Sequence, residues 1–246
     1  MDKASMETYI AVLQHELVPA FGCTEPGAVA FAAASATEIL KNKPDCMEIF
    51  CSGSIIKNVH SVTIPNAGGL KGVEAAAILG ALVGNAEKQL CVLQDITSEQ
   101  ISEAERLLVT NYCVCRLAQN VDELYIRVWV RHNEDTAEVI VEGTHTNIVL
   151  ATRNGTIVQE GRSSWQNEPD KSMLTLRGVL DFAKNCELSR IAPLLLRQIE
   201  ENSAISREGL TGNYGVNVGR SLLEFYDGGD VRVRARAVLP RVQMRG

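Results

Sequence analysis

The stretch Leu124–Gln159, LYIRVWVRHNEDTAEVIVEGTHTNIVLATRNGTIVQ, decides how this chain folds. Within it Leu124–His132, Ala137–Gly143, Thr146–Thr152 and Thr156–Gln159 each read as a strand, because branched and aromatic residues run between polar breaks. Asn154-Gly155 is the dipeptide that favours a tight hairpin, since both residues tolerate a left-handed backbone. Cys113–Leu117, just upstream, reads as one more strand. The expectation is a mainly antiparallel sheet of about four or five strands.

On either side of this sheet the pattern is helical. Tyr9, Ile10, Val12, Leu13 and Leu17 recur at helical spacing over residues 5–18, and Pro19 ends that run. A loop over residues 20–24 leads to a second helix beginning near Glu25-Pro26, with Thr24 as its N-cap and Pro26 in its first turn, where the missing N–H costs nothing. From Gly27 to about Lys41 this helix is rich in alanine, so other helices can approach it closely and it reads as buried. Met47–Cys51 alternates as a short strand, Val73–Leu82 is a second Ala-rich helix with small faces at Gly80 and Gly84, and Leu90–Leu93 reads as a strand. Thr97–Val109 reads as a surface helix, with Thr97 and Gln100 at capping-box spacing. Residues 161–173 read as a polar loop; helices follow at Leu174–Lys184, Ser189–Glu200 and Val218–Phe225, with a glycine-rich stretch at Leu210–Gly219. The fold class expected is α/β in the α+β sense: a mixed, mainly antiparallel sheet layered with Ala-rich helices. It is organised as a single domain over residues 1–230 followed by a divergent basic tail over 231–246.

Composition narrows the function classes. The chain has 246 residues, 46% apolar and 22% charged, which is ordinary for a folded globular protein. A net charge of −6 argues against a nucleic-acid binder held by phosphate contacts. No apolar run approaches the ~20 residues needed to span a bilayer, so no membrane partner is expected. Seven cysteines without a secretory signal point to the reducing cytoplasm rather than to a disulfide framework.

Gly22-Cys23-Thr24-Glu25-Pro26 is the segment richest in chemistry. It sets a thiol at the start of a helix, where the dipole and free N–H groups favour a thiolate able to bind a metal or attack an electrophile. Cys113-Val114-Cys115 reads as strand core, because no second cysteine pair completes a metal site. Ser54-Ile55-Ile56-Lys57-Asn58 is similar to the lysine segment of pyridoxal-phosphate dehydratases, where the lysine forms a Schiff base. His145, among the hydroxyls and amide of Gly143–Asn147, is a candidate acid or base, with His60 secondary to it and His15 on the surface of a helix. The glycines at 209, 212, 215 and 219 do not follow the strand–turn–helix pattern of a dinucleotide site.

Taken in order, Gly22-Cys23-Thr24-Glu25-Pro26, Lys57-Asn58, Val62-Thr63-Ile64-Pro65, Leu79–Ala86, His145–Val149 and Gly209-Leu210 resemble the L-cysteine desulfidase family, relatives of the iron–sulfur L-serine dehydratases. The resemblance covers residues 5–236 and implies a lyase that eliminates the β-substituent of L-cysteine or L-serine, giving pyruvate, ammonia and hydrogen sulfide or water. It implies a [4Fe–4S] cluster with Cys23 as one ligand, catalytic roles for Lys57, Asn58 and His145, and substrate contacts from Thr24, Glu25 and Asn66. Members of that family are nearly twice as long, and their second half carries the other cluster cysteines, which none of Cys46, Cys51, Cys91, Cys113, Cys115 or Cys186 matches. The expectation is a partial enzyme that does not retain the cluster alone. It would be a fragment, a frameshifted product or one half of a split enzyme, completed by an α-chain-like partner or acting as a homo-oligomer. Two alternatives stay open: a non-catalytic docking subunit, and a pyridoxal-phosphate lyase using Lys57.

Overall fold

The computed structural model describes residues 2–161, 169–212 and 217–225. These residues divide into two compact units, one within Ala20–Gln166 and one drawn from Met1–Pro19 and Asn167–Arg245.

The larger unit is an α+β fold. Its strands are β1 (Cys46–Cys51), β2 (Cys113–Leu117), β3 (Tyr125–His132), β4 (Asp135–Glu142), β5 (Ile148–Arg153) and β6 (Thr156–Glu160), in the spatial order β2-β1-β3-β4-β5-β6. β1 and β2 are parallel and every other neighbouring pair is antiparallel. A parallel pair needs a long crossover, and the helical segment between β1 and β2 supplies it. The expected hairpin is present: Asn154 and Gly155 both take positive φ, 51° and 75°, between β5 and β6.

Because side chains alternate along a strand, one face of the sheet collects the apolar residues. Ile49, Val128, Val139 and Ala151 lie in register across four strands, all fully buried. Burying each of the larger ones is worth about 1.5–3 kcal/mol. On the other face Phe50, Arg127, Ile140 and Leu150 form the next register row; the Arg127 guanidinium lies 5.0 Å from the Phe50 ring centroid and pairs with Glu138 at 2.6 Å.

Helices cover the apolar face. α1 (Lys3–Glu16) belongs to the smaller unit. α2 (Thr24–Leu40) runs over β3, β4 and β5, beside α4 (Val73–Val83); α3 (Gly53–His60) follows β1, and α5 (Ser98–Leu108) packs on α4. Residues Pro26–Ala36 of α2 are all buried, as are Val73 and Ala75–Ala81 of α4, which is why both helices consist of small residues. At their crossing a Cβ added to Gly80 would sit 2.2 Å from the Ala30 carbonyl oxygen, so only glycine fits. The capping box of α5 is formed at both ends: Thr97 Oγ1 accepts from the Gln100 N–H at 3.3 Å, and Gln100 Oε1 accepts from the Thr97 N–H at 2.9 Å.

Three local expectations change. The N-cap of α2 is Cys23, and Thr24 is already helical. Leu90–Leu93 is not a strand: Ala86–Cys91 form 3-10 turns, with Gln89 at φ 48° and the Val92 N–H bonded to the Gln89 carbonyl. A short run that is buried throughout, as Leu90, Val92 and Leu93 are, carries no period by which strand and helix can be told apart. Gly53–His60, left without an element by its sequence, is helical, capped by Ser52 through a bond from the Ile55 N–H at 3.3 Å.

In the smaller unit α1 packs with α6 (Leu176–Asn185) and α7 (Leu188–Thr211), and α8 (Val218–Phe225) follows. Tyr9 stacks on Phe182 with centroids 5.3 Å apart and donates its hydroxyl to the Met173 carbonyl at 2.9 Å. The basic tail over 231–246, and most of the 161–173 loop, lie outside the described residues. No described helix is long and apolar enough to cross a membrane.

Candidate functional site

Gly22 and Pro65 set the frame. Gly22 has φ +82°, and a Cβ there would meet Pro65 Cγ at 2.4 Å, so the residue must lack a side chain on both counts. The Phe21 N–H bonds to the Leu90 carbonyl at 3.3 Å and ties the loop to the turn beneath it. Cys23 is then extended, at φ −67° and ψ 135°, and α2 begins at the next residue.

The centre of the site is the Glu25 carboxylate. Its Oε2 accepts the Cys23 thiol at 3.1 Å and the Thr24 hydroxyl at 3.1 Å; its Oε1 accepts the Asn58 amide at 3.1 Å. Burial pushes the Glu25 carboxyl up, but the bonds from Cys23, from its own backbone N–H, from Thr24 and from Asn58 outweigh it and hold the group below the usual carboxylate range. Glu25 is therefore ionised. Cys23 is driven the opposite way: burial, then the hydrogen bond and charge of Glu25, raise its thiol to about 11. This overturns the expectation of a helix-stabilised thiolate. The N–H groups of Glu25 and Thr24 do favour the anion, but more weakly than the buried position and the adjacent carboxylate oppose it.

Asn58 reaches Glu25 because Ile55 and Val59 anchor α3 in the core, leaving Asn58 on its flank. Lys57, the residue before it, is exposed; among the described residues it has no hydrogen bond or ion pair to the Glu25 group. Sequence spacing joins Lys57 and Asn58, whereas the helix separates them by about 100°.

His145 lies in the turn between β4 and β5. Gly143, at φ +79°, donates to the Leu124 carbonyl at 3.1 Å, and Asn147 closes the turn through its side-chain amide to the Glu142 carbonyl at 2.8 Å. Burial lowers the His145 imidazole below its usual value and the Glu25 carboxylate partly restores it, so the ring is neutral at physiological pH and within electrostatic reach of Glu25. Asn66 follows Pro65 with φ 58° and donates its side-chain amide to the Gln94 carbonyl at 3.3 Å; it stands one residue from the Gly22 contact. His60 is exposed at the end of α3, and His15 bonds to Glu16 at 3.3 Å on α1.

Cys113 and Cys115 face the core as expected of strand residues, near Cys51 and below the start of α4, where Glu74 Oε1 accepts the Cys115 N–H at 3.3 Å. The Cys51 thiol is held high by its contact with Cys115 and by burial. Among the described residues no group of three or more His, Cys, Asp or Glu side chains is placed to hold a metal ion. The described residues by themselves do not fit the [4Fe–4S] cluster that the sequence resemblance implies: Cys23 brings one sulfur, held as a thiol by a carboxylate.

Sequence reasoning missed two parts of this arrangement. One is the role of Glu25 as the acceptor that gathers the other groups. The other is the Gly22–Pro65 contact that positions them. The adjacency of Gly22 and Glu25 to Cys23 was the only local signal.

The chain is 42% identical over 231 residues to a "UPF0597 protein" of Lachnoclostridium phytofermentans, an alignment covering 93% of this chain and 55% of that protein. It is 38% identical over 243 residues to a "UPF0597 protein" of Treponema denticola, covering 96% of this chain and 56% of the other. A third, from Finegoldia magna, is 38% identical over 236 residues, covering 94% and 56%. No family model matches the chain, and no solved structure matches it. The chain is thus similar over nearly all of its length to UPF0597 proteins, and spans about half the length of the curated relatives it matches.

Proposed function

We propose that the Glu25 group binds a small amino acid and that the chain supplies acid–base and orienting groups for β-elimination from L-cysteine or L-serine. The observation that carries this reading is the ionised Glu25 carboxylate, held by a thiol, a hydroxyl and an amide, within electrostatic reach of the His145 imidazole. An ionised carboxylate in a half-buried site suits a substrate ammonium. Thr24 and Asn58 fix its orientation, and Asn66, next in the chain to Pro65, is the residue assigned to the substrate carboxylate. His145 is kept in the form that accepts a proton, as a base at the α-carbon requires.

In the reaction the base takes the α-proton, the Cα–H electron pair forms the Cα–Cβ double bond, and the β-sulfur leaves with the Cβ–S pair and is protonated. The aminoacrylate product tautomerises to the imine, and water releases pyruvate and ammonia. With serine the leaving group is water. The odd count of seven cysteines supports a reducing compartment, the cytoplasm, as the place where this happens.

The test is to titrate the protein with L-cysteine and L-serine under anaerobic conditions, following the His145 ring by NMR and pyruvate and sulfide by colorimetry. Saturable perturbation of His145, abolished in Glu25→Gln, is the expected result. Neither binding nor product from the wild-type protein would sink the proposal.

A further inference from the structure

In the proposed elimination His145 takes the α-proton, yet among the described residues its ring has no hydrogen-bond partner. Desolvation and the charge of Glu25 are the two influences that act on it. With no bond to the ring itself, the place of the imidazole follows from the backbone beneath it, the connection Gly143–Asn147 between β4 and β5. None of these five residues is buried, so hydrogen bonds rather than core packing must hold the connection in shape.

The ladder beside it is irregular. β4 and β5 pair Ile140 with Leu150 but Val141 with Ile148, which leaves Val149 as an extra residue on β5. A bulge of this kind disrupts the ladder and bends its strand, and the register of a hairpin is then set by the turn. The ties of the turn converge on Asn147. Its N–H donates to the Thr144 carbonyl at 3.2 Å, closing a four-residue turn with His145 and Thr146 at its centre. Its carbonyl accepts the Glu142 N–H at 3.1 Å. Its side-chain amide donates to the Glu142 carbonyl at 2.8 Å, and the same oxygen accepts the Thr144 N–H at 2.9 Å. The Glu142 carbonyl thus ties both the entry and the exit of the turn, across Gly143 at φ +79°. The exit tie is the one that depends on a side chain.

We propose that Asn147 is a positioning residue: its side-chain amide locks the turn that holds the His145 imidazole within reach of the Glu25 carboxylate. This role rests on the reading of His145 as the base. Asn147 touches neither the carboxylate nor the ring; it acts through the Glu142 carbonyl on the backbone that carries His145. The interaction of a charge with a titrating ring falls with distance, so a turn released at its exit weakens the hold of Glu25 on His145. An alanine at 147 loses the donor outright, and a shorter side chain cannot place one at the same point.

The experiment is an NMR titration of His145 in the full chain, its signal identified among the four histidines by its loss in His145→Asn. The quantity read is the change in the His145 midpoint on Glu25→Gln, taken in the wild type, in Asn147→Ala and in Thr97→Ala. Thr97→Ala weakens the fold at the cap of α5 and serves as the structural control. The change should fall to about half or less in Asn147→Ala and stay at its wild-type size in Thr97→Ala. Asn147→Ser takes the place of the alanine variant where that does not fold. A change of wild-type size in the Asn147 variant overturns the proposal. So does an equal reduction in Thr97→Ala, or a wild-type midpoint indifferent to Glu25→Gln. L-Cysteine, added separately, keeps the two readings apart. A coupling reduced in the Asn147 variant, with no response of the wild type to L-cysteine, supports the positioning role and overturns the substrate. A wild type that responds to L-cysteine, with the coupling intact in the Asn147 variant, overturns the positioning role alone.

Discussion

Replacing Glu25 by glutamine tests the electrostatics of the site directly. In the wild-type protein the Cys23 thiol is raised from 9.0 to about 11. At any pH well below both values that leaves about a hundredfold less thiolate than an unperturbed cysteine carries. Alkylation proceeds through the thiolate, so Cys23 should react with iodoacetamide about a hundredfold more slowly than a free thiol at the same pH. Its rate should still be climbing at pH 10. Burial is the largest cause of the shift and survives the substitution; the hydrogen bond and charge of Glu25 come next and do not. Glu25→Gln should therefore speed the reaction of Cys23 by about tenfold at pH 8 without restoring it fully. Peptide-resolved mass spectrometry separates Cys23 from the other six cysteines. A wild-type rate that levels off near pH 7 would refute the reasoning, because it would mean that the helix N-terminus outweighs the carboxylate.

Other outcomes follow from the same geometry. The His145 ring should titrate below its usual 6.5 by NMR, and lower still in Glu25→Gln, which removes the charge that partly restores it. Stability should fall with acid in two stages. As pH drops through 6.5 the unfolded chain takes up the His145 proton before the folded one does; the contribution of Glu25, complete above 4.5, is lost below that value. Urea midpoints measured from pH 8 to 4 check the order, and His145→Asn should flatten the upper stage. Gly80→Ala places a Cβ against the Ala30 backbone, 2.2 Å from its oxygen and 2.6 Å from its Cα; a loss of about 3 kcal/mol is expected by urea unfolding. Thr97→Ala opens the capping box of α5 and should cost about 1 kcal/mol in the same assay.

Much of the fold was legible because its signals are local. The β-rich segment, the Asn154-Gly155 turn, the Thr97 cap and the two alanine helices each declare themselves within a few residues. α3 did not, since eight residues with two buried contacts, Ile55 and Val59, offer little period to read. The run at Leu90–Leu93 misled for the opposite reason: with Leu90, Val92 and Leu93 buried and Cys91 apolar, it has no polar face to mark a period.

The candidate site divides in the same way. From the sequence alone came a thiol, a hydroxyl and a carboxylate side by side at a helix start, together with an amide, a lysine and a histidine of unknown placement. Only the tertiary structure decided that Asn58, 33 residues away, closes on Glu25 while its neighbour Lys57 turns to solvent. It also decided that Cys23 is a thiol rather than a thiolate. The helix dipole is a property of local sequence, but the depth of burial and the place of a carboxylate oxygen are not, and at this site those two effects are the larger.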